Sequence, residues 1–491
     1  MAIRARLSAP RPERDNWPWH QAKWTFLPAS LLMGGDRRME AENYLAGGYG
    51  IRVAMEARKT GWTYLSDLAN VWQPSRLKGI QVSPEFGTPF LAATQVFDLR
   101  PVPRKFLSLD RTGNAAERFV TPGMILVTCS GSVGRATLAH KPHENTLISH
   151  DLLRVEPRES EEWGWLYAYL RSPQARAMMS AAQYGHMIKH LEVSHLNALP
   201  VPCVREELKR DFGDRVKKLL AQRNLTHQLL DEAERLFEDA IGPIPINENS
   251  EVGFTIRASS VFTQRRRLEA SYHNPATSAI LKRFADLGLK VEPLTDVTER
   301  VWWMTRFKRV FGEEGVPYMS ADELFTLNPP INKRVIINQA DNADDYYVKA
   351  GWIVMACSGQ VYGLNGSVAL ITKKHEGAFF SHDLVRIIPR EKNIRPGYLF
   401  AVLGHPKLGR PLVIRYAYGT SIPHLEPADI ATFPVVRLGE KLENDIADRM
   451  ERAVSLRAEA DELENSLAAD AETLIDRFLA GDTQDFVLGR K

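Results

Sequence analysis

The stretch "SHDLLRVEPRE" at residues 149–159 returns as "SHDLVRIIPRE" at 381–391, and eight of the eleven positions carry the same residue. Matching segments continue on both sides, and the offset between them grows only from about 229 to 234 residues. Insertions this short are typical of surface loops. The sequence therefore predicts a tandem duplication of a unit of more than 200 residues rather than an array of small repeats.

Two further motifs frame the repeated phrase in each copy. The segment "CSGSVG" from Cys129 pairs with "CSGQVYG" from Cys357, and "YGHMIKH" from Tyr184 pairs with "YGTSIPH" from Tyr418. The frame residues agree between the copies, whereas the loop residues between them diverge. This divergence is expected if each copy reads a different target, and simple drift of surface loops explains it equally well.

Length and composition favour two or more domains in a reducing compartment. The chain has 491 residues with 44% apolar content, more than a single core usually holds. Cys129, Cys203 and Cys357 show neither CxxC spacing nor an even count, which argues against a disulfide framework and against a zinc site. The formal charge is only +3, so any basic surface for nucleic acid must be local.

No apolar run approaches the roughly 20 residues that would span a membrane, and the N-terminus lacks the apolar segment of a signal peptide. We therefore expect a soluble, cytoplasmic protein with no membrane partner.

Each copy combines a mixed globular part with a long helix. The globular part alternates short β-rich runs with Gly/Pro turns, which predicts an α+β domain. The second part has apolar residues three or four positions apart between charges, which predicts an amphipathic helix on the order of 50 Å long. Such a helix cannot bury its apolar stripe against a small domain alone, so we expect the two helices to pair. The predicted divisions are an N-terminal arm (1–24), a first globular domain (25–204), a first helix (205–241), a linker (242–253), a second globular domain (254–437), a second helix (438–481) and a C-terminal tail (482–491).

Two similar heads on a rigid spacer suit an extended ligand in two parts, and bipartite DNA is the obvious candidate. Arg76 and Lys78 in the first copy match Arg306 and Lys308 in the second, where aromatic residues alternate with cations. A role shared by heads that read different sequences should be independent of sequence, which indicates phosphate contacts. Solvated surface charge is the alternative for any single lysine.

The loops between the shared residues are candidates for base contacts. The Gly/Ser-rich CSG turn either ends a strand tightly or brings amides and hydroxyls close to a phosphate backbone. Lys189, Gln360, Tyr362 and Ser421 lie where the copies diverge, so we expect them to meet base edges. The full set of predicted DNA-binding residues is Arg76, Lys78, Ser130, Ser132, Arg135, Tyr184, Lys189, His190, Arg306, Lys308, Ser358, Gln360, Tyr362, Tyr418, Thr420, Ser421 and His424.

The repeated Ser-His-Asp also admits a catalytic interpretation. His150 and His382 would be general bases, each oriented by the aspartate that follows it. A histidine in such a run is more often a hydrogen-bonded structural residue, and no nucleophile or ligand set completes the group. No catalytic or metal-binding residue is therefore predicted, and a DNA-processing nuclease stays the alternative from another class.

In their shared order, these motifs resemble the specificity (S) subunits of type I restriction–modification systems. The resemblance runs from about Ala29 to Leu479. It rests on "RMEA" at 38–41 with "RLEA" at 267–270, the CSG turn, the SHDL strand and the YG…HL approach to a long helix, each present twice. It implies two tandem target recognition domains and an antiparallel coiled coil of the two helices, which fixes the gap between half-sites.

The resemblance also implies partners. Double-stranded DNA would be read by this chain, two methyltransferase (M) subunits would dock on the helices, and restriction/translocase (R) subunits could join them. The M subunits would methylate adenine N6 with S-adenosylmethionine, while this chain would bind no cofactor and catalyse nothing. A recognition subunit of another methyltransferase-based anti-phage defence complex is the alternative within this class.

Overall fold

The computed structural model describes residues 29, 41, 44, 47–76, 79–112, 114–185, 189–244, 253–262, 267–329, 333–337 and 342–487. The chain divides into two compact units. Unit 1 comprises residues 1–221 and 462–491, and unit 2 comprises residues 222–461. Unit 1 is therefore built from both ends of the chain, whereas unit 2 is continuous. The predicted N-terminal arm lies outside the described residues.

Unit 1 contains the first globular part and begins the first long helix. Its elements are α1 (Gly48–Glu56), β1 (Trp62–Tyr64), α2 (Leu65–Leu68), β2 (Ala69–Trp72), β3 (Gln81–Val82), β4 (Thr88–Leu91), β5 (Lys105–Leu107), β6 (Ile125–Thr128), β7 (Ala136–Leu138), β8 (Leu147–Ile148), β9 (Leu152–Pro157), α3 (Trp163–Arg171), α4 (Pro173–Ala182), α5 (Val193–Asn197), β10 (Pro200–Pro202) and α6 (Glu206–Ile241).

Unit 2 repeats much of this order before the second long helix. Its elements are α7 (Ala258–Phe262), α8 (Pro275–Asp286), β11 (Val291–Pro293), α9 (Leu294–Val297), β12 (Thr298–Trp302), β13 (Val310–Met319), α10 (Ala321–Leu324), β14 (Arg334–Ile336), β15 (Ile353–Ala356), β16 (Val368–Leu370), β17 (Phe379–Phe380), β18 (Leu384–Pro389), α11 (Pro396–Gly404), α12 (Arg410–Ile414), α13 (Pro427–Ile430), β19 (Pro434–Val436) and α14 (Glu440–Ala480). The α+β class is confirmed. No helix among the described residues has the length and apolarity needed to cross a membrane.

The main sheet has the same topology in both units. Its strand order is β2-β9-β6-β7 in unit 1 and β12-β18-β15-β16 in unit 2, with all neighbours antiparallel. The runs "ILVT" of β6 and "IVMA" of β15 are buried at all four positions, as expected for central strands covered on both faces. The strand that follows the Ser-His-Asp phrase, β9 or β18, lies between the outer strand and this central strand.

The repeated phrase connects a second sheet to the main sheet. The strand order of this second sheet differs between the units. In unit 1 the order is β3-β5-β4-β8, and in unit 2 it is β14-β13-β17. The parallel pairs β4–β8 and β13–β17 are equivalent, because the second strand of each pair ends directly before the repeated serine. Unit 2 replaces the short strands of unit 1 with the ten-residue β13, whose register shifts between Phe311 and Val316.

The two long helices contact each other within each unit. In unit 1, Arg215 of α6 donates to Asp470 of α14 at 2.6 Å. In unit 2, Arg223 donates to Asp461 at 2.5 Å, and Glu232 accepts from Arg449 at 3.4 Å. In unit 2, residue numbers fall along α14 as they rise along α6, so the helices run antiparallel there.

The globular part of each unit lies against a long helix through a glycine at the start of a short helix. A Cβ atom on Gly164 of α3 would lie 2.3 Å from the amide nitrogen of Gly213 in α6. A Cβ atom on Gly397 of α11 would lie 2.6 Å from the carbonyl oxygen of Ala447 in α14. Backbone meets backbone at both positions, so neither glycine leaves room for a side chain.

The C-terminal segment closes unit 1. Phe486 forms a β-bridge with Val204, and the Val487 amide donates to the Cys203 carbonyl at 2.8 Å. Arg58 donates to the carbonyl oxygens of Phe478 and Leu479, both at 2.9 Å. The end of α14 and the segment after it therefore belong to the fold of the N-terminal part.

Replacing Gly164 with alanine tests the glycine contact. We expect Gly164→Ala to lower the free energy of unfolding by about 1–3 kcal/mol or more, because the added methyl group must push α3 away from α6. Gly213→Ala is the matched control, since its Cβ would meet nothing within 4 Å. That control should be neutral or stabilise α6 by up to about 1 kcal/mol. Denaturant unfolding of both variants measures the difference, and equal stabilities would contradict the contact.

Candidate nucleic-acid interface

The CSG turn and the YG loop are joined in unit 1. Ser130 and His190 form a β-bridge, and the Ser130 hydroxyl lies 3.1 Å from Nδ1 of His190. The Gly131 amide donates to the Lys189 carbonyl at 2.9 Å, and the Leu191 amide donates to the carbonyl of Cys129, also at 2.9 Å. Two motifs about sixty residues apart in sequence therefore form one surface.

Unit 2 repeats these bonds with different loop residues. The Ser358 hydroxyl lies 2.9 Å from Nδ1 of His424, and the Leu425 amide donates to the Cys357 carbonyl at 2.9 Å. The Gly359 amide donates to the Pro423 carbonyl at 3.2 Å. The predicted residues Ser130, His190, Ser358 and His424 thus come together in equivalent pairs.

The Ser-His-Asp phrase forms a turn. In unit 1 the Ser149 hydroxyl donates to the Asp151 carboxylate at 2.9 Å, and the Asp151 amide donates back to that hydroxyl at 3.2 Å. The Asp151 carbonyl accepts from the amide of Cys129 at 3.0 Å, which ties this turn to the CSG turn. Ser381, Asp383 and Cys357 make the same three bonds in unit 2.

A buried arginine holds each of these turns. Arg154 of β9 is fully buried and donates to the carbonyls of Ile148 and Ser149, both at 3.0 Å, and to that of Leu152. Arg386 is its counterpart in unit 2, where it donates to the Phe380 carbonyl at 3.1 Å and the Ser381 carbonyl at 3.2 Å. Burial lowers the pKa of both guanidinium groups to about 10, so they stay charged at neutral pH. The sequence signal was an arginine inside an apolar strand in both copies.

The two histidines of the phrase lie beside the aspartates that follow them, with Nε2 3.5 Å from Oδ1 in the first copy and 3.4 Å in the second. Nε2 of His382 already accepts from Nε of Arg306 at 3.2 Å. Burial lowers the pKa of both His150 and His382, which makes each imidazole a weaker base. In the part of the chain that the structure describes, no group of three or more His, Cys, Asp and Glu side chains is placed to hold a metal ion.

Predicted phosphate-binding cations lie beside these turns. Arg76 is exposed, and its charge contributes to the lowered pKa of His150. Arg306 and Lys308 are exposed in unit 2, where the charges of Arg306 and its neighbour Arg309 act on His382 in the same way. Each unit therefore places positive charge next to the turn that supports its loops. Lys78 lies outside the described residues.

The remaining predicted residues of unit 1 divide by exposure. Ser132 is exposed on the CSG turn, Tyr184 is 36% exposed, and Lys189 is half-buried. Arg135 is half-buried, with its guanidinium 4.0 Å above the centre of the Phe97 ring, and burial lowers its pKa to about 10. The packing of Arg135 is a structural role that the sequence did not indicate.

In unit 2 the divergent residues bridge two loops. Gln360 donates its amide to the Ser421 carbonyl at 2.7 Å, and Tyr362 is 71% exposed beside it. Thr420 and Ser421 are exposed on the second loop, while the Tyr418 hydroxyl donates to Glu426 at 2.9 Å.

Two residues that the sequence analysis did not single out hold these loops in place. Asn365 is fully buried and donates to the carbonyls of Gly359 and Pro423, both at 2.9 Å. Arg410 donates to the carbonyls of Val361 and Gly363 at 3.2 and 2.8 Å. Asn365 lies in a segment whose length differs between the copies. This difference in length was the sequence signal that the loop of unit 2 is supported differently.

No family model matches the sequence, and no curated protein matches it. Among solved structures, a type I restriction–modification S subunit from M. genitalium is similar at 15% identity and a TM-score of 0.30, covering 86% of this chain and 96% of its own. An HsdS subunit from Thermoanaerobacter tengcongensis has the same coverage at 13% identity and a TM-score of 0.24. A structure from work on assembly and conformational transition of the type I R-M system covers 86% and 97% at 13% identity and a TM-score of 0.26.

Asp98, next to the Phe97 ring that carries Arg135, gives unit 1 a pH-dependent stability. Burial raises the pKa of its carboxyl to about 6, against the opposing charges of Arg104 and Arg135. A carboxyl whose pKa is raised in the folded state stabilises the fold at low pH. This stabilisation is lost as the pH rises from about 4 to about 6. Asp98→Asn stays neutral, so we expect it to be more stable than the wild type by about 1–2 kcal/mol at pH 7.5 and equally stable at pH 4.

Thermal unfolding at both pH values measures this difference. Asp110→Asn, which removes an exposed carboxyl from the same unit, is the control for the loss of a surface charge. A stability gain of Asp98→Asn that is the same at both pH values would contradict the burial of an ionised carboxylate.

Proposed function

We propose that this chain is the DNA-recognition subunit of a type I restriction–modification complex and that its two units read the two halves of a bipartite target. The repeated hydrogen-bond framework carries this proposal. Equivalent serine, histidine, aspartate and arginine residues make equivalent bonds in both units, while the loops on that framework differ. One scaffold with two loop sets suits two different half-sites.

The division between phosphate and base contacts follows from the same comparison. Arg76 and Arg306 are exposed at equivalent places in both units. A contact that both units share can position DNA without reading it, which is the role of phosphate contacts. Gln360, Ser421 and Tyr362 have no matching side chains in unit 1, so they are suited to base edges.

The long helices supply the spacer and the docking surface in this proposal. Side-chain hydrogen bonds join the two helices within each unit. These bonds support a coiled coil that sets the gap between half-sites. Two methyltransferase subunits would bind the helices and hold S-adenosylmethionine, and restriction/translocase subunits would join them. The chain itself would be non-catalytic, because the Ser-His-Asp turns are accounted for by structural hydrogen bonds.

Methylation in cells tests this function directly. The chain is co-expressed with a candidate methyltransferase partner, and N6-methyladenine is mapped across the genome. We expect one bipartite motif with a fixed gap and an adenine in each half. An undivided motif, or no methylation with any partner that co-purifies, would contradict the proposal. Cleavage of DNA by the chain alone with a divalent metal, abolished by His150→Ala, would favour a nuclease instead.

Lengthening both helices tests the spacer. Gln222 and Glu459 are hydrogen-bonded across the helices at 3.2 Å, so a heptad inserted at each should keep the pairs on both sides in register. Each helix gains about 10 Å, and we expect the gap in the methylated motif to grow by about three base pairs. A heptad in one helix alone is the control, because it breaks the register and should abolish methylation. An unchanged gap in the double insertion would show that the helices do not set it.

Two substitutions in unit 2 separate phosphate contacts from base contacts. Arg306→Ala should weaken binding to cognate and scrambled duplexes alike and reduce the salt dependence by about one counterion. Gln360→Ala should cost about 1–3 kcal/mol on the cognate duplex only. Affinities at several salt concentrations measure both effects, and the unfolding temperature monitors loss of the Gln360–Ser421 bond. The reverse pattern would overturn the division of roles.

A further inference from the structure

Two apolar side chains project from adjacent loops of unit 2. Tyr362 is 71% exposed and Ile422 is 59% exposed. Their loops are joined by the bond from Gln360 to the Ser421 carbonyl at 2.7 Å. An exposed apolar side chain gains free energy when a ligand removes it from water.

The backbone beneath these side chains is fixed. Buried Asn365 donates to the carbonyls of Gly359 and Pro423, so a single amide group ties one loop to the other. Pro423, directly after Ile422, is buried. A rigid support lowers the entropy cost of binding, because the backbone that carries the side chain is already ordered.

The sequence of the other copy identifies the more informative of the two residues. In "YGHMIKH" and "YGTSIPH", the isoleucines Ile188 and Ile422 occupy the same position, whereas the residues on either side of them differ. Ile188 lies outside the described residues. Two units that read different half-sites share this side chain, so its role should be independent of base sequence. An aliphatic side chain cannot bind phosphate, but it can pack against the faces of bases.

Positive charge lies on the same framework. The Asp383 carbonyl accepts from the Cys357 amide at 3.0 Å, and this links the turn beside Arg306 to the turn that carries Gln360. Nε of Arg306 contacts the adjacent His382 at 3.2 Å. A duplex held by this cation would contact the turn that is hydrogen-bonded to the CSG turn, from which the loop of Gln360 and Tyr362 extends.

We propose that Ile422 is an apolar wedge that enters the stack between two base pairs, with Tyr362 packed beside the opened step. The proposal rests on the DNA-recognition function above and adds a deformation of the duplex to it. Apolar side chains that unstack a base step cost a few kcal/mol per step, which is offset by the added contact surface. A step that is already weakened by a mismatch should therefore be bound more tightly than a paired one.

Binding to a paired duplex and to the same duplex with one mismatched step tests the wedge. The full chain is used in the complex with its methyltransferase partner. The mismatch is moved through the target one step at a time. We expect one position at which the wild type binds the mismatched duplex about ten-fold more tightly. Ile422→Ala should bind both duplexes equally, with an unchanged unfolding temperature. Leu287→Ala, which removes an exposed aliphatic side chain from the same unit, should keep the wild-type ratio.

The outcomes separate the wedge from the function on which it rests. If the complex methylates a bipartite motif but Ile422→Ala keeps the ten-fold ratio, the wedge is wrong and the function stands. If Ile422→Ala loses discrimination between thymine and uracil at one base pair and keeps the mismatch ratio, Ile422 reads a methyl group and the wedge is again wrong. If Ile422→Ala only weakens assembly with the partner, the loop tip is a protein contact. Absence of any methylation overturns both.

Discussion

Each unit depends on the hydrogen bonds that the guanidinium of a buried arginine donates to backbone carbonyls. Arg154 and Arg386 lie in the central region of the main sheet and donate to carbonyls of the turn that precedes their strand. Burying a charged group is costly unless hydrogen bonds compensate for the lost water, and here the terminal nitrogens of both guanidinium groups make them. A change in the shape of the turn would leave the buried arginine without these hydrogen bonds. The second sheet, the main sheet and the CSG turn are fixed relative to one another by that requirement.

This constraint explains why the copies vary where they do. The bonds around the arginine involve backbone carbonyls, a serine and an aspartate, so those positions stay alike. Residues past Ser130 and Ser358 lie outside this set and are free to change in kind and number. In unit 2, Asn365 and Arg410 donate hydrogen bonds to loop carbonyls and hold the loops in place. Loops on this framework can therefore differ without disturbing the sheet below them.

Much of the fold could be predicted from the repeat and the helix periodicity. The α+β class followed from local patterns, and the helices at Glu206–Ile241 and Glu440–Ala480 lie close to the expected limits. Bonds between distant segments could not be read from the sequence. The burial of Arg154, the packing of Arg135 on Phe97 and the bridge from Gln360 to the other loop depend on which segments meet, and no local pattern encodes that.

The composition of unit 1 from both ends of the chain affects how the protein can be made. A ribosome releases residues in order, and domains usually fold as they emerge. Unit 2 is continuous in sequence, whereas unit 1 needs the end of α14 and the bridge from Phe486 to Val204. The half that is synthesised first is therefore completed last. Until α14 and Phe486 leave the ribosome, the N-terminal part exposes the surface that they cover, and transiently exposed apolar surface promotes aggregation.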